Sequence, residues 1–123
     1  LIVSVTASGF FFFLPNKTVT LTAHDIGEIN SVYDQLPIDG SAELRTVRAI
    51  GRTLAYEFVV VGTPEDIFQR FKHELEARGW EYHYMPEPAF HTFTKAGGHI
   101  YIALQFPKDQ RMKLVLSYFA SPF

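Results

Sequence analysis

Between Ala42 and Tyr118 apolar and polar side chains mostly alternate, and a single run of helical spacing interrupts the alternation. "AELRTVRAIG" and "TLAYEFVVVG" alternate on either side of Gly51-Arg52, which reads as an antiparallel hairpin. In its second strand Leu54, Tyr56, Phe58 and Val60 fall on one face, with Ala55, Glu57, Val59 and Val61 opposite. The period then changes in "TPEDIFQRFKHELEARGW". Thr63 suits an N-cap, Pro64 the first helical position, and Glu65 and Asp66 the positive end of the helix dipole. Ile67, Phe71 and Leu75, with Phe68 beside them, form one apolar stripe, and Gly79 stands where a helix is left. Such a stripe needs a sheet to pack on.

Beyond Trp80 the runs "WEYHYM", "AFHTFTK", "HIYIALQF" and "RMKLVLSYF" alternate again, with "PEP", "AGG" and "PKDQ" as turns. The expected class is α+β: a mostly antiparallel sheet with one amphipathic helix packed on one face, in the order β-β-α-β-β-β, over residues 42–123. Residues 17–41 read as a connector. Within it "TVTLT" has the alternation of a short strand, and "DIGEINSVYDQL" has helical spacing with Asp25 as candidate N-cap, weakened by Gly27. Pro37, Asp39 and Gly40 close it as a turn.

The first sixteen residues carry no charge; Lys17 is the first charged side chain. A helix of that length spans roughly 24 Å, somewhat short of the ~30 Å hydrocarbon core, and additional residues upstream would let it cross. The first residue is Leu1, consistent with a processed chain or with a sequence that begins inside a longer one. Residues 1–16 are therefore expected to be the C-terminal part of a membrane anchor, with Phe10, Phe11, Phe12, Phe13 and Leu14 in lipid and Pro15 at the exit. A buried β-strand and a signal-peptide core are the two competing readings.

Composition narrows the classes. A hydrophobic fraction of 47% and a charged fraction of 20% are those of a globular chain, and 123 residues suffice for a single core. The 11 Lys and Arg are dispersed and the formal net charge is -2, which leaves no electrostatic footprint for nucleic acid. With no cysteine, disulfide, thiol and thiolate-metal chemistry are excluded.

No nucleophile elbow, HExxH, P-loop or dinucleotide fingerprint is present. A hairpin centred on Glu87 makes His83 and His91 cross-strand neighbours, the only pairing with metal or proton-switch potential; His99 belongs to another register, and His24 and His73 read as solvated. Glu57, mid-strand between Tyr56 and Phe58, reads either as a buried acid with a raised pKa or, more commonly for such a position, as one that faces solvent or pairs with a cross-strand arginine such as Arg45 or Arg48. Trp80, Tyr82 and Tyr84 share one strand face with Phe90 across from them, and the opposite face carries Glu81, His83, Met85, His91, Phe93 and Lys95. The aromatics suit packing beneath the helix stripe. Their functional reading is a partner-binding surface of Tyr82, Tyr84, His83, His91 and Phe93, because Tyr and Trp are favoured at interfaces. No catalytic residue, cofactor site or metal site is assigned.

Tyr33-Asp34-Gln35-Leu36-Pro37, Gly40-Ser41, the helical run and Gly79-Trp80 together resemble small bacterial exported or membrane-anchored α+β domains of unassigned function. The resemblance covers about two-thirds of the chain and implies a domain just outside a single N-terminal anchor. The acidic flank of Asp25, Glu28 and Asp34 against the lone Lys17 agrees with a periplasmic or extracellular domain under the positive-inside tendency. The expected function is a non-catalytic accessory or scaffolding subunit of a membrane complex, of the kind respiratory and photosynthetic assemblies recruit. Its partners would be membrane lipid and integral membrane subunits. The alternatives are a periplasmic module binding a small apolar ligand or lipid on Tyr82, Tyr84 and Phe90, and an enzyme using His83, His91 and Glu57.

Overall fold

The computed structural model describes residues 21–86 and 89–123, so Phe10–Leu14 and the rest of the anchor reading lie outside the described residues. Helix α1 (Ala23–Tyr33) precedes strands β1 (Glu43–Ile50) and β2 (Thr53–Val59). Helix α2 (Pro64–Ala77) follows, then β3 (Glu81–Met85), β4 (Phe90–Thr94), β5 (Ile100–Lys108) and β6 (Arg111–Tyr118). All six strands join one sheet in the order β1-β2-β6-β5-β4-β3, every neighbouring pair antiparallel. The α+β class holds, with two differences. Each of the four alternating runs after α2 is a strand, so the order β-β-α-β-β-β is one strand short, and two helices rather than one cover the sheet.

Alternation decides which face they cover. Leu54, Tyr56 and Phe58 of β2, Met112, Leu114 and Leu116 of β6, and Ile100, Ile102 and Leu104 of β5 are all buried on one side. α2 adds Ile67, Phe68, Phe71 and Leu75 to this core, as its stripe requires. Each such side chain contributes about 1.5–3 kcal/mol on burial. Thr63 caps α2 by accepting a hydrogen bond from the Asp66 N–H at 3.1 Å, and Gly79, at φ 92, takes the left-handed position that ends it.

β2 and β3 run parallel at positions separated by β6, β5 and β4, so α2 has to return the chain to the end where β2 began while moving it across the sheet. Four strand spacings amount to about 19 Å. A helix of 14 residues is about 21 Å long, and α2 together with its flanking residues covers the distance.

α1 lies in the stretch read as connector, and Ile29, Val32 and Leu36 from that stretch belong to the core together with Leu21. Its N-cap is Thr22 rather than Asp25. Asp25 is the third helical residue and closes a capping box: its N–H donates to Thr22 Oγ1 at 3.1 Å, and the Thr22 N–H donates back to the Asp25 carboxylate at 3.4 Å.

Two ends of the sheet can be distinguished. The entry end, where the chain arrives at Leu21, holds the β1–β2 turn, the β4–β5 turn and the C-terminal end of β6: the Tyr118 N–H donates to the Arg52 carbonyl at 2.9 Å and the Phe119 N–H to the His99 carbonyl at 2.7 Å. The far end holds Met85, Phe90 and the β5–β6 turn.

Candidate functional site

The aromatic residues read from the sequence gather at the far end, in a different arrangement from the one expected. Tyr82 pairs with Phe93, His83 with Thr92, and Tyr84 with His91. The pairing register is therefore shifted by one residue from that of a hairpin centred on Glu87, and a one-residue shift transfers a strand's whole side-chain set to the other face. His83 and His91 point to opposite sides and form no pair. His91 and Phe93 join Tyr82 and Tyr84 on the helix side, while Phe90, opposite Met85, takes the other side.

On the helix side these residues form one stack. The His91 ring lies 3.9 Å from that of Phe68 of α2, centroid to centroid and nearly parallel, and shares a 2.8 Å hydrogen bond through Nδ1 with the Tyr82 hydroxyl. Tyr82 also packs on Phe68 and Phe93 at 5.3 and 5.4 Å, and the Lys72 ammonium sits 5.6 Å from its ring. Burial pushes the His91 pKa down, with the Glu65 charge opposing it, and pushes the Tyr82 hydroxyl up, with Tyr84 and Glu65 acting the same way. Both shifts favour the uncharged forms of the pair.

Phe93 is completely buried and has no surface to present. Tyr84 and Met85, by contrast, are 53% and 40% exposed on the last residues of β3, which is a sheet edge. His83 is exposed on the same face as Met85, opposite Tyr84, and lies 3.4 Å from the Glu81 carboxylate. The far end thus combines an aromatic stack with an exposed Tyr84 lying on it and an exposed Met85 on the opposite face of the same edge strand, an arrangement suited to docking along that edge.

The residues weighed for catalysis do not converge. Glu57 is on β2, where it accepts a hydrogen bond from Thr46 Oγ1 at 3.1 Å, while Arg45 turns to Glu43. β3 with His83 is four strand positions away, about 19 Å. Among the described residues no three His, Asp or Glu side chains are grouped to hold a metal ion. Phe90 faces away from Tyr82 and Tyr84, so those three side chains cannot line one pocket. A cleft of about 200 Å³ at the entry end is lined by Glu28, Gln35, Trp80, Lys95 and His99 and is mixed in polarity.

A second cluster was not foreseen from the sequence. Arg52, the second residue of the tight β1–β2 turn, donates two hydrogen bonds to the buried Asp25 carboxylate at 2.8 and 2.7 Å. Its guanidinium lies 4.4 Å from the Tyr118 ring centroid, and Tyr118 in turn stacks on His99 and meets the edge of His24. The turn places Arg52 there because Gly51 takes φ 60, which a two-residue hairpin with glycine first requires. The hydrogen bonds from Arg52 hold the Asp25 carboxyl below the usual carboxylate range, against the opposing effect of burial. The signal in the sequence was Thr22-x-x-Asp25 ahead of an apolar run, the capping-box spacing.

No family model, curated protein or solved structure matches the chain. Among the described residues no helix is long and apolar enough to cross a membrane.

Proposed function

We propose that this chain is a non-catalytic accessory or scaffolding subunit of a membrane protein complex, tethered by its N-terminal segment, with the α+β domain outside the cytoplasm. The observation that carries the docking part is the exposure of Tyr84 and Met85 at the end of an edge strand, with Tyr84 resting on the Phe68–His91–Tyr82 stack through His91. The uncharged run before Lys17 supports the tether, and the scarcity of Lys and Arg after it, with none between Lys17 and Arg45, supports the sidedness. Edge strands recruit partners through their free backbone groups, and a preformed aromatic base lowers the ordering cost of doing so.

Affinity purification from native membranes tests the reading. The unaltered chain is expected to bring down integral membrane subunits, and Tyr84→Asp to lose them while its thermal unfolding stays unchanged. Release of the full chain as a monodisperse monomer without detergent, or equal recovery of partners by Tyr84→Asp, counts against it.

A further inference from the structure

The exposed large apolar side chains are not scattered. Tyr84, Met85 and Val61 belong to the far half of the domain, whereas Ile50, Phe119 and Phe123, at 63%, 47% and 42% exposure, all lie at the entry end. Ile50 is the last residue of β1, and Phe119 follows β6. Phe123 is held beside the β4–β5 turn by its N–H donating to the Gly98 carbonyl at 2.9 Å and its carbonyl accepting from the Gly97 N–H at 2.8 Å. Phe119 and Phe123 pack on each other at 5.3 Å and flank Tyr101 on the sheet face that the helices leave open. Ile50 points to that same face, since it shares it with Arg48 and Thr46. From β1 to β5 the row covers three strand spacings, about 14 Å.

From this arrangement we infer that the entry end of the domain, through Ile50, Phe119 and Phe123, rests on the surface of the lipid bilayer, with the open sheet face tilted toward it. The inference builds on the tether proposed above. Leu21 is fixed at this end, only five residues beyond the uncharged run of 1–16, so a bilayer holding that run lies within a short reach of the row. A protruding aromatic pair, Phe119 with Phe123, and a separate aliphatic side chain, Ile50, all at the end nearest the tether, suit shallow insertion into the interfacial zone of a membrane. The acidic group nearest the tether, Asp25, is buried and neutralised by Arg52, so no free carboxylate of the α1 N-terminus opposes the contact. Arg48, exposed one pleat from Ile50, is at the level of the headgroups. The same orientation leaves Tyr84, on the helix side at the opposite end of the strands, facing away from the lipid and toward partner subunits, and keeps Met85 at the end farthest from it.

The absence of cysteine makes each single substitution a unique labelling site. The full chain is mixed with vesicles of phosphatidylcholine and phosphatidylglycerol, with nitroxides on Ile50→Cys, Phe119→Cys, Val61→Cys and Met85→Cys in turn. Flotation of the chain with the vesicles reports the tether. Spin-label accessibility to oxygen against a water-soluble nickel chelate reports the contact. Labels at 50 and 119 are expected to shift toward oxygen when vesicles are added, and labels at 61 and 85 to stay with the chelate. A floating chain whose four labels all remain water-like overturns the inference and leaves the tether standing. Oxygen-rich labels at 61 or 85 overturn the orientation. A chain that stays in the aqueous fraction overturns the tether and this contact together.

Discussion

The two helices cover the same sheet face but are held there by different forces. α2 is fixed by an apolar stripe, Ile67, Phe68, Phe71 and Leu75, that interlocks with side chains of the core. α1 places fewer apolar side chains against the sheet, carries Gly27 in its middle, and is tied at its first turn by one buried carboxylate and one arginine. Hydrophobic burial is spread over many atoms and tolerates small movements. A bidentate ion pair concentrates its effect on two bonds and depends on pH. α2 should therefore share the stability of the whole domain, and α1 should be the element that opens separately.

The largest effect is expected at α2. Phe71→Ala removes a fully buried ring and should cost about 3–5 kcal/mol, seen as a lower denaturant midpoint with every core amide exchanging faster. Asp25→Asn comes next. It leaves Arg52 without its charged acceptor and should cost about 2 kcal/mol, with faster exchange confined mainly to α1. Uniform acceleration across the sheet in this variant would erase the distinction between the helices.

The same substitution has a pH signature. Because the folded-state pKa of Asp25 is depressed, its stabilising contribution is complete above the unfolded value, about 4, and is lost as pH falls through the folded value. The asparagine variant should lack that part of the acid-side loss, while the contribution of Asp39, lowered by the Ser41 N–H, persists. The smallest effect, and the one of opposite sign, belongs to Gly27→Ala. An added Cβ meets no atom within 4 Å, so α1 should gain about 0.8–1 kcal/mol of helix propensity, read as slower exchange of its amides.

α2 was legible in the sequence down to its Thr63 cap and its terminating Gly79, because every signal that defines it is local. The strands were equally legible as strands. Their assembly was not: β2 pairs with β6, across more than fifty intervening residues, and alternation carries no record of which strand lies beside which. The β3–β4 hairpin shows how narrow the margin is. A centre displaced by half a residue changed His83 and His91 from neighbours to residues on opposite faces and brought His91 under Phe68. Arg52 looked like punctuation in a turn, since its partner Asp25 is 27 positions earlier. Of the residues read as a partner surface, Tyr84 and His83 are exposed at the edge, Tyr82 and His91 support it, and Phe93 belongs to the core.

The Asp25–Arg52 pair also has a mechanical meaning. Tension on the residues ahead of Leu21 loads the first turn of α1, the point from which a helix is most easily peeled away. There the carboxylate grips a guanidinium mounted on the β1–β2 turn and backed by the Tyr118 ring. The load passes within one turn of helix into β2 and β6, two inner strands of a six-stranded sheet. The joint works as a rivet, so a pull on the chain ahead of Leu21 would reach the sheet before α1 begins to lift.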